Sequence, residues 1–515
     1  MFTQDEKMNC IMTRPIIRTD MKEVSAEYTL PDYLPDVNRL LRTSARVEKN
    51  EKYCSQDMIE YEGRLCFSVI YATSDGKIKN AEFDTDYSGS VSGLQISDLS
   101  SVGVYTYADN ATCRLAGPRK LTVKSKLATQ ISVCSIESTE PLIGGRSTQE
   151  SAKTLQYRKS RVGFLQEIKA SEMNIPVSED VEIDPGMPLI SDIVYVELLP
   201  SHIDVKCSGG KVHYNGTLLA NIMYESLGEN GAEYVFFTRD VPVSGGVDAD
   251  GVSEGDMALC NISVSSLSYR PQADELGEAK TVELDFDYSA FCSIFSKSTC
   301  EVTTDMYSLD YENSVEKQVI AYRTAECAKT FNFSFNENVS YDDADFQSIL
   351  CVSGSASVLS VEKTGSKVSV SGSVTFYLLM RGENAAYAGK NFTIPFRADT
   401  DMGKFAHLFG FESSACVHNI NARVSDGKMF FDAEVTVDLL IFGEKDIEVL
   451  KSCTVFTDRP VSAYDHSNIV LYYPSRGDDL WTVAKKYNTT VEKLTTLNGI
   501  TKDDVSGGVL VIPAR

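Results

Sequence analysis

Through most of the chain, apolar and polar residues alternate over short stretches rich in Val, Ile, Thr, Tyr and Phe, punctuated by Gly, Asn, Asp and Ser. An extended backbone turns successive side chains to opposite faces, so a period of two marks strands with one face in a core, joined by hairpins. Helical spacing is scarce before residue 480. The pattern predicts a mainly β chain.

A larger repeat overlies the alternation. Tyr61–Tyr71, Tyr214–Tyr224 and Val370–Met380 each place a glycine (Gly63, Gly216, Gly372) at the start of an apolar strand that ends, eight residues on, in Tyr71, Tyr224 or Met380. The glycines are 153 and 156 residues apart, and an Asp followed by an apolar cluster (Asp36, Asp192, Asp345) stands 24 to 27 residues before each. Units of this length exceed solenoid repeats of ~20–50 residues, so each is expected to be a domain with its own two-layered β core. The predicted units are 1–150, 151–312 and 313–465, with junctions around Glu137–Lys159 and Lys297–Glu316.

From residue 466 the pattern changes. Leu480, Val483, Ala484 and Tyr487 fall on one helical face, with Asp478 and Asp479 at the helix's positive N-terminus. Thr489–Glu492 has capping-box spacing, Val491, Leu494 and Leu497 supply an apolar face, and Asn498–Gly499 ends the second helix. With strands at Ile469 and at Val509–Ile512, residues 466–515 read as a compact βααβ module.

Composition narrows the function classes. The 515 residues carry 49 basic and 73 acidic side chains, a net charge of −24, which disfavours binding of nucleic acid or anionic lipid by the whole chain. The module alone has six basic against five acidic residues, a nearly neutral unit on an acidic body. No apolar run approaches the ~18 residues of a membrane span. Acidic residues in Met1–Lys7, where a secretory leader carries positive charge, make cytosol the expected compartment. Thirteen cysteines without a CxxC pair read as reduced core residues, and five scattered histidines suggest no zinc site.

Motifs that could signal catalysis do not survive their context. Gly251–Gly255 spells GxSxG, yet it lies in an acidic turn between β segments instead of between a strand and a helix. Read as a calcium loop, the same stretch puts Gly246 and Met257 where carboxylates are required. There is no P-loop, and Gly144-Gly145 lacks strand-to-helix context. Asp36, Asp192 and Asp345, one per repeat, fit turn or cap chemistry better than catalytic acids. No enzyme activity, cofactor or metal is expected.

The tail resembles a LysM domain at Gly477-Asp478, Leu480, Val483-Ala484, Tyr487, Leu494, Asn498 and Leu510–Pro513. LysM modules generally bind N-acetylglucosamine polymers between two loops. The resemblance makes Gly477, Asp478, Asp479, Leu480, Trp481, Asn498, Gly499 and Ile500 the candidate residues for a partner or glycan. Asp479 replaces the usual Thr or Ser, and Gly507-Gly508 replaces a polar position. Trp481, the only tryptophan, is expected to contribute most.

The three upstream units resemble SPOCS domains of spore coat morphogenetic proteins, through Leu30–Leu41 with its Pro-Asp-x-x-Pro-Asp spacing. The resemblance implies a non-enzymatic scaffold in the mother-cell cytoplasm of a sporulating cell. It would be recruited to the forespore surface through the stage IV coat ATPase and would meet other coat proteins there. The alternative is a cell-wall protein that binds peptidoglycan or its N-acetylglucosamine-containing precursor.

Overall fold

A computed structural model describes residues 10–94, 96, 100–144, 154–228, 231–343, 345–346, 348–382, 386–403, 410–461, 470–475, 477–500 and 508–513. The first unit contains β1 (Cys10–Met12), β2 (Ile16–Thr29), β3 (Arg39–Cys54), β4 (Met58–Ala72), β5 (Ile78–Ser92), β6 (Ser101–Gly117), β7 (Lys120–Cys134), β8 (Ile136–Ser138) and β9 (Leu142–Gly144). The second contains β10 (Leu155–Glu182), β11 (Asp192–Ser208), β12 (Lys211–Gly228), β13 (Gly231–Asp248), β14 (Met257–Ala273) and β15 (Ala279–Ser308). The third contains β16 (Tyr311–Ser340), β17 (Ser348–Thr364), β18 (Lys367–Arg381), β19 (Tyr387–Asp401), β20 (Gly410–Ser425) and β21 (Lys428–Pro460). In the tail, β22 (Val470–Tyr472) and β23 (Leu510–Ile512) flank α1 (Leu480–Lys486) and α2 (Val491–Asn498). The architecture is three two-layered β sandwiches followed by a βααβ module.

Each sandwich has the same order. A meander sheet, β3-β4-β5, β11-β12-β13 or β17-β18-β19, faces a second sheet, β2-β7-β6, β10-β15-β14 or β16-β21-β20. All pairings within these sheets are antiparallel, and alternate residues fill one core per sandwich, such as Leu65, Phe67, Val69, Val123 and Ile131 in the first. Eight of the thirteen cysteines are buried in these sheets and their junctions.

Gly63, Gly216 and Gly372 occupy the same place, in the central strands β4, β12 and β18. Each lies beside a β-bulge of the neighbouring strand, at Val47/Lys49, Pro200/Ile203 and Val358/Ser360. A bulge pushes its backbone toward the partner strand. A Cβ at Gly216 would sit 2.6 Å from the His202 carbonyl oxygen, and one at Gly372 would sit 2.1 Å from that of Ser357. In these two repeats the glycine is therefore the space that the bulge requires. At the far end of the strand, the Tyr71 and Tyr224 hydroxyls donate to the carbonyls of Pro35 (3.1 Å) and Pro188 (2.8 Å), tying down the preceding loop. In the third sandwich Met380 stands at that position and accepts from Tyr341 instead.

Two expectations are corrected. Leu40, Ile193 and Ile349 are the partners of Tyr71, Tyr224 and Met380, so Asp36 and Asp345 occupy equivalent loop positions while Asp192 is three residues out of register, at the start of β11. The partners Leu40, Ile193 and Ile349 keep one spacing to the glycine in all three repeats, so the shorter spacing of Asp192 marks a residue of the strand instead of the loop before it. The stretch Lys297–Glu316 is also strand, except around Leu309-Asp310, and residue 312 falls inside β16. Cys300, Val302 and Met306 of this stretch are buried, as a linker's residues would not be. The expected limits at 150/151 and 465/466 lie outside the described residues.

The three sandwiches close on one another. β5 meets β11, β13 meets β17, and β19 meets β3, so the third strand of each meander sheet contacts the first strand of the next unit in a cycle. A second bulge in each first strand, at Leu40/Arg42, Ile193/Tyr195 and Ile349/Cys351, gives Arg42, Tyr195 and Cys351 equivalent positions. They converge: the Tyr195 hydroxyl lies 3.4 Å from the Cys351 sulfur, Arg42 pairs with Glu197 at 2.5 Å and its guanidinium covers the Tyr377 ring at 5.0 Å. Leu41, Ile70, Val194, Met223 and Leu379 surround them as one apolar cluster drawn from all three units.

The second sheets extend past their sandwiches as two-stranded arms, β1 with β8, the start of β10 with the end of β15, and the start of β16 with the end of β21. Their joint core holds Ile11 and Met12 of the first, Phe164 and Val302 of the second, and Ile320, Tyr322 and Val449 of the third. Short β9 adds a parallel strand to β21. The βααβ module sits at the end of the β10–β15 arm.

Candidate docking site on the C-terminal module

Asp479 begins α1. Its carboxylate accepts from the Thr482 amide at 2.8 Å, the N-cap arrangement that satisfies an otherwise unpaired helix-end donor. Leu480, Val483 and Ala484 point inward and meet Leu494, Leu510 and Ile512 in the module's small core. Trp481 and Lys485, four residues apart, share the other face of the helix. The N-cap of α2 is Thr490, whose hydroxyl accepts from the Lys493 amide at 3.1 Å. The expected capping box at Thr489–Glu492 is therefore one residue out of phase, and Thr489 is buried before the helix. Leu497, expected on the apolar face, is 51% exposed.

The candidate residues have definite places. The Gly477 turn is exposed at φ +101°, a left-handed value suited to glycine, and Asp478 accepts from the Tyr472 hydroxyl (2.6 Å) and the Ser475 amide (2.8 Å). That phenol bond and the amide bond hold the Asp478 carboxyl below its usual range, while Asp478 pushes Tyr472 up to about 12. The Asn498 side chain donates to the carbonyls of Leu494 (2.9 Å) and Val511 (2.8 Å) and accepts from the Val511 amide (2.7 Å), clamping α2 to β23. Gly499 ends α2 at φ +61°, and the Ile500 amide donates back to Thr495.

Asp479 and Trp481 face the chain's own body. Asp479 pairs with Arg158 of β10 at 2.8 Å. The Trp481 indole N–H donates to Asp305 of β15 at 2.8 Å, and the Lys485 ammonium lies 2.7 and 2.8 Å from the same carboxylate. Two residues further along β15, the Tyr307 ring meets the indole edge-on, centroids 4.9 Å apart, and its hydroxyl donates to the Thr489 carbonyl at 2.6 Å. Tyr307 is 2% exposed and belongs to the module's core. Burial pulls the Asp305 carboxyl up, but the bonds from Lys485 and Trp481 outweigh it and hold the group low. Asp479 is likewise held low by Thr482 and Arg158 against its burial. Burial also pushes the Tyr307 phenol up.

Arg158, Asp305 and Tyr307 are absent from the sequence-based candidates. They lie more than 170 residues from α1, and nothing local marks them. Only Lys485, one helical turn beyond Trp481, carried a readable signal. On the uncovered side of the module, Leu471, Tyr473, Leu497 and Val509 are exposed.

Glu48, Cys66 and Asp84 bring ligand-type atoms within 4.8 Å of one another, but Arg46 pairs with Glu48 at 2.9 Å and supplies positive charge there, and burial pushes the Cys66 thiol up. A cleft of about 470 Å³ between the second and third sandwiches is lined by His202, Asp438 and Lys329, with His202 3.3 Å from both Asp204 and Asp438. The GxSxG stretch Gly251–Gly255 is a turn between β13 and β14. Among the described residues no helix is long and apolar enough to cross a membrane.

Comparison with known families gives two matches, the SPOCS domain of SipL over residues 189–272 and the LysM domain over residues 475–513. The first runs through β11, β12, β13 and β14, and the other two sandwiches share its strand order. The second covers both helices and β23. No curated protein and no solved structure matches the chain. By these two matches the chain carries a SipL SPOCS domain followed by a C-terminal LysM domain, the domain pair of a SipL-like protein.

Proposed function

We propose that the chain is a non-enzymatic scaffold in endospore coat assembly. In this reading it lies in the mother-cell cytoplasm at the outer forespore surface and docks there to the stage IV coat morphogenetic ATPase through residues 466–515. The three SPOCS-like units form the body that positions the module and meets other coat proteins. The observation that carries the reading is a LysM domain held at the end of a SPOCS body, since both are families of non-catalytic domains and SipL ties the chain to sporulation.

Geometry supports a revision of the contact residues. Trp481 and Asp479 are engaged with the second sandwich, and Asn498 holds β23. The Gly477 turn and Gly499 remain at the surface, close in sequence to exposed Tyr473 and Leu497. Exposed apolar side chains at a patch centre carry most interface energy. The reading is tested by deleting residues 466–515 and imaging the protein in sporulating cells. Loss of forespore recruitment and of ATPase pull-down is expected. Recruitment that survives the deletion would assign docking to the sandwiches.

A further inference from the structure

We infer that Arg158, Asp305 and Tyr307 form an intramolecular receptor that latches the LysM module and keeps its α1 face from outside ligands. The inference does not depend on which partner the module meets. Three observations carry it. The carboxylate of Asp305 takes both the indole N–H of Trp481 and the ammonium of Lys485. Tyr307 supplies a ring to the module's core and a hydroxyl to the Thr489 carbonyl just before α2. Arg158 pairs with Asp479, the cap of α1, so the first helix is held at its start and along one face and the approach to the second is held as well.

These contacts fall on the segment Gly477–Trp481, one of the two loops that the LysM resemblance assigns to ligands. A glycan or protein that used Trp481 would have to displace the arm. It would also have to offer the indole N–H and the Lys485 ammonium an acceptor in place of Asp305, because a part-buried donor stripped of its partner is left desolvated without a hydrogen bond. The module is thus presented by its outer side while latched. The nearly neutral tail can engage the body in this way because Asp305 and Arg158 match Lys485 and Asp479 charge for charge.

Trp481 is the chain's only tryptophan, so its fluorescence reads the latch directly. Acrylamide quenching would be measured on the full-length protein and on the Asp305→Ala and Tyr307→Phe variants, with circular dichroism to confirm the fold. The expected result is a small quenching constant in the native chain. A rise of at least threefold with a red-shifted emission is expected in Asp305→Ala, and a smaller rise in Tyr307→Phe, which keeps the ring. A native indole quenched as readily as free tryptophan amide would overturn the inference. So would an Asp305→Ala variant that is folded and quenches like the native chain. Should Asp305→Ala unfold, Lys485→Met, which removes the ammonium and leaves the indole bonded to Asp305, replaces it, with a smaller rise expected and an unchanged constant again overturning the latch. Recruitment in cells plays no part in this measurement, so it stands or falls apart from the scaffold reading.

Discussion

At the scale of single residues, the module is organised by a few side chains that each perform two tasks. Asp479 caps α1 and pairs with Arg158, and Trp481 closes the module's core edge while donating to Asp305. Both carboxylates are held below their ordinary value of 3.8 in the folded protein. A depressed folded value means that the contribution is fully present above the unfolded value and is lost as pH falls through the folded one. Docking of the module should therefore be indifferent to pH between 5 and 8 as far as these groups decide, and should weaken below about 3.8. Acid titration followed by Trp481 emission checks this. A red shift already complete at pH 5 would contradict the assignment of Asp305 and Asp479 as the controlling groups.

At the scale of elements, the recurring device is a glycine in the central strand beside a bulge in the first. At Gly372 an added methyl would meet the Ser357 carbonyl at 2.1 Å and the Phe396 ring at 2.5 Å, and neither strand can move without disturbing the sheet. Overpacking of this kind costs about 1–3 kcal/mol. Gly372→Ala should lower the denaturant midpoint accordingly. Gly163→Ala in β10, where an added Cβ meets nothing within 4 Å, should stay within about 0.5 kcal/mol of the native chain. Equal effects of the two substitutions would show that the bulge does not select glycine. The glycine register was legible in the sequence because the bulge beside it recurs at nearly the same spacing in each repeat. The aspartate register was not, because no paired backbone fixes a residue of the loop as the bulge fixes the glycine, and the Asp of the second repeat stands in the strand instead.

At the scale of the whole molecule, the three sandwiches form one cycle around Arg42, Tyr195 and Cys351. Arg42 of the first unit pairs with Glu197 of the second and covers Tyr377 of the third. Desolvation of the buried guanidinium is offset by the Glu197 carboxylate, so removing one partner strands the other. Arg42→Ala should cost on the order of 3 kcal/mol through the uncompensated Glu197, and Arg42→Ala with Glu197→Ala together should cost less than the sum of the two. Denaturant unfolding of the four proteins closes this cycle. Strict additivity would mean that the axis pair does not couple the units. The shared clusters also predict that the sandwiches unfold together.

The sequence by itself determined the strands, the threefold repeat, the βααβ tail and the interior of each unit, because alternation and local capping are properties of neighbouring residues. It also marked Leu480, Val483, Ala484 and Leu494 as the module's core, since helical periodicity selects a face without knowing what lies opposite. Only tertiary structure decided what the remaining faces meet. Trp481, expected as the leading contact for a partner, becomes a latched residue through Asp305 and Tyr307, and Arg42 becomes an axis residue through the bulge beside it and two other sandwiches. Contacts between residues 150 or more positions apart leave no periodic trace in the chain, because what joins them is the closing of the units on one another and not any local preference of the backbone.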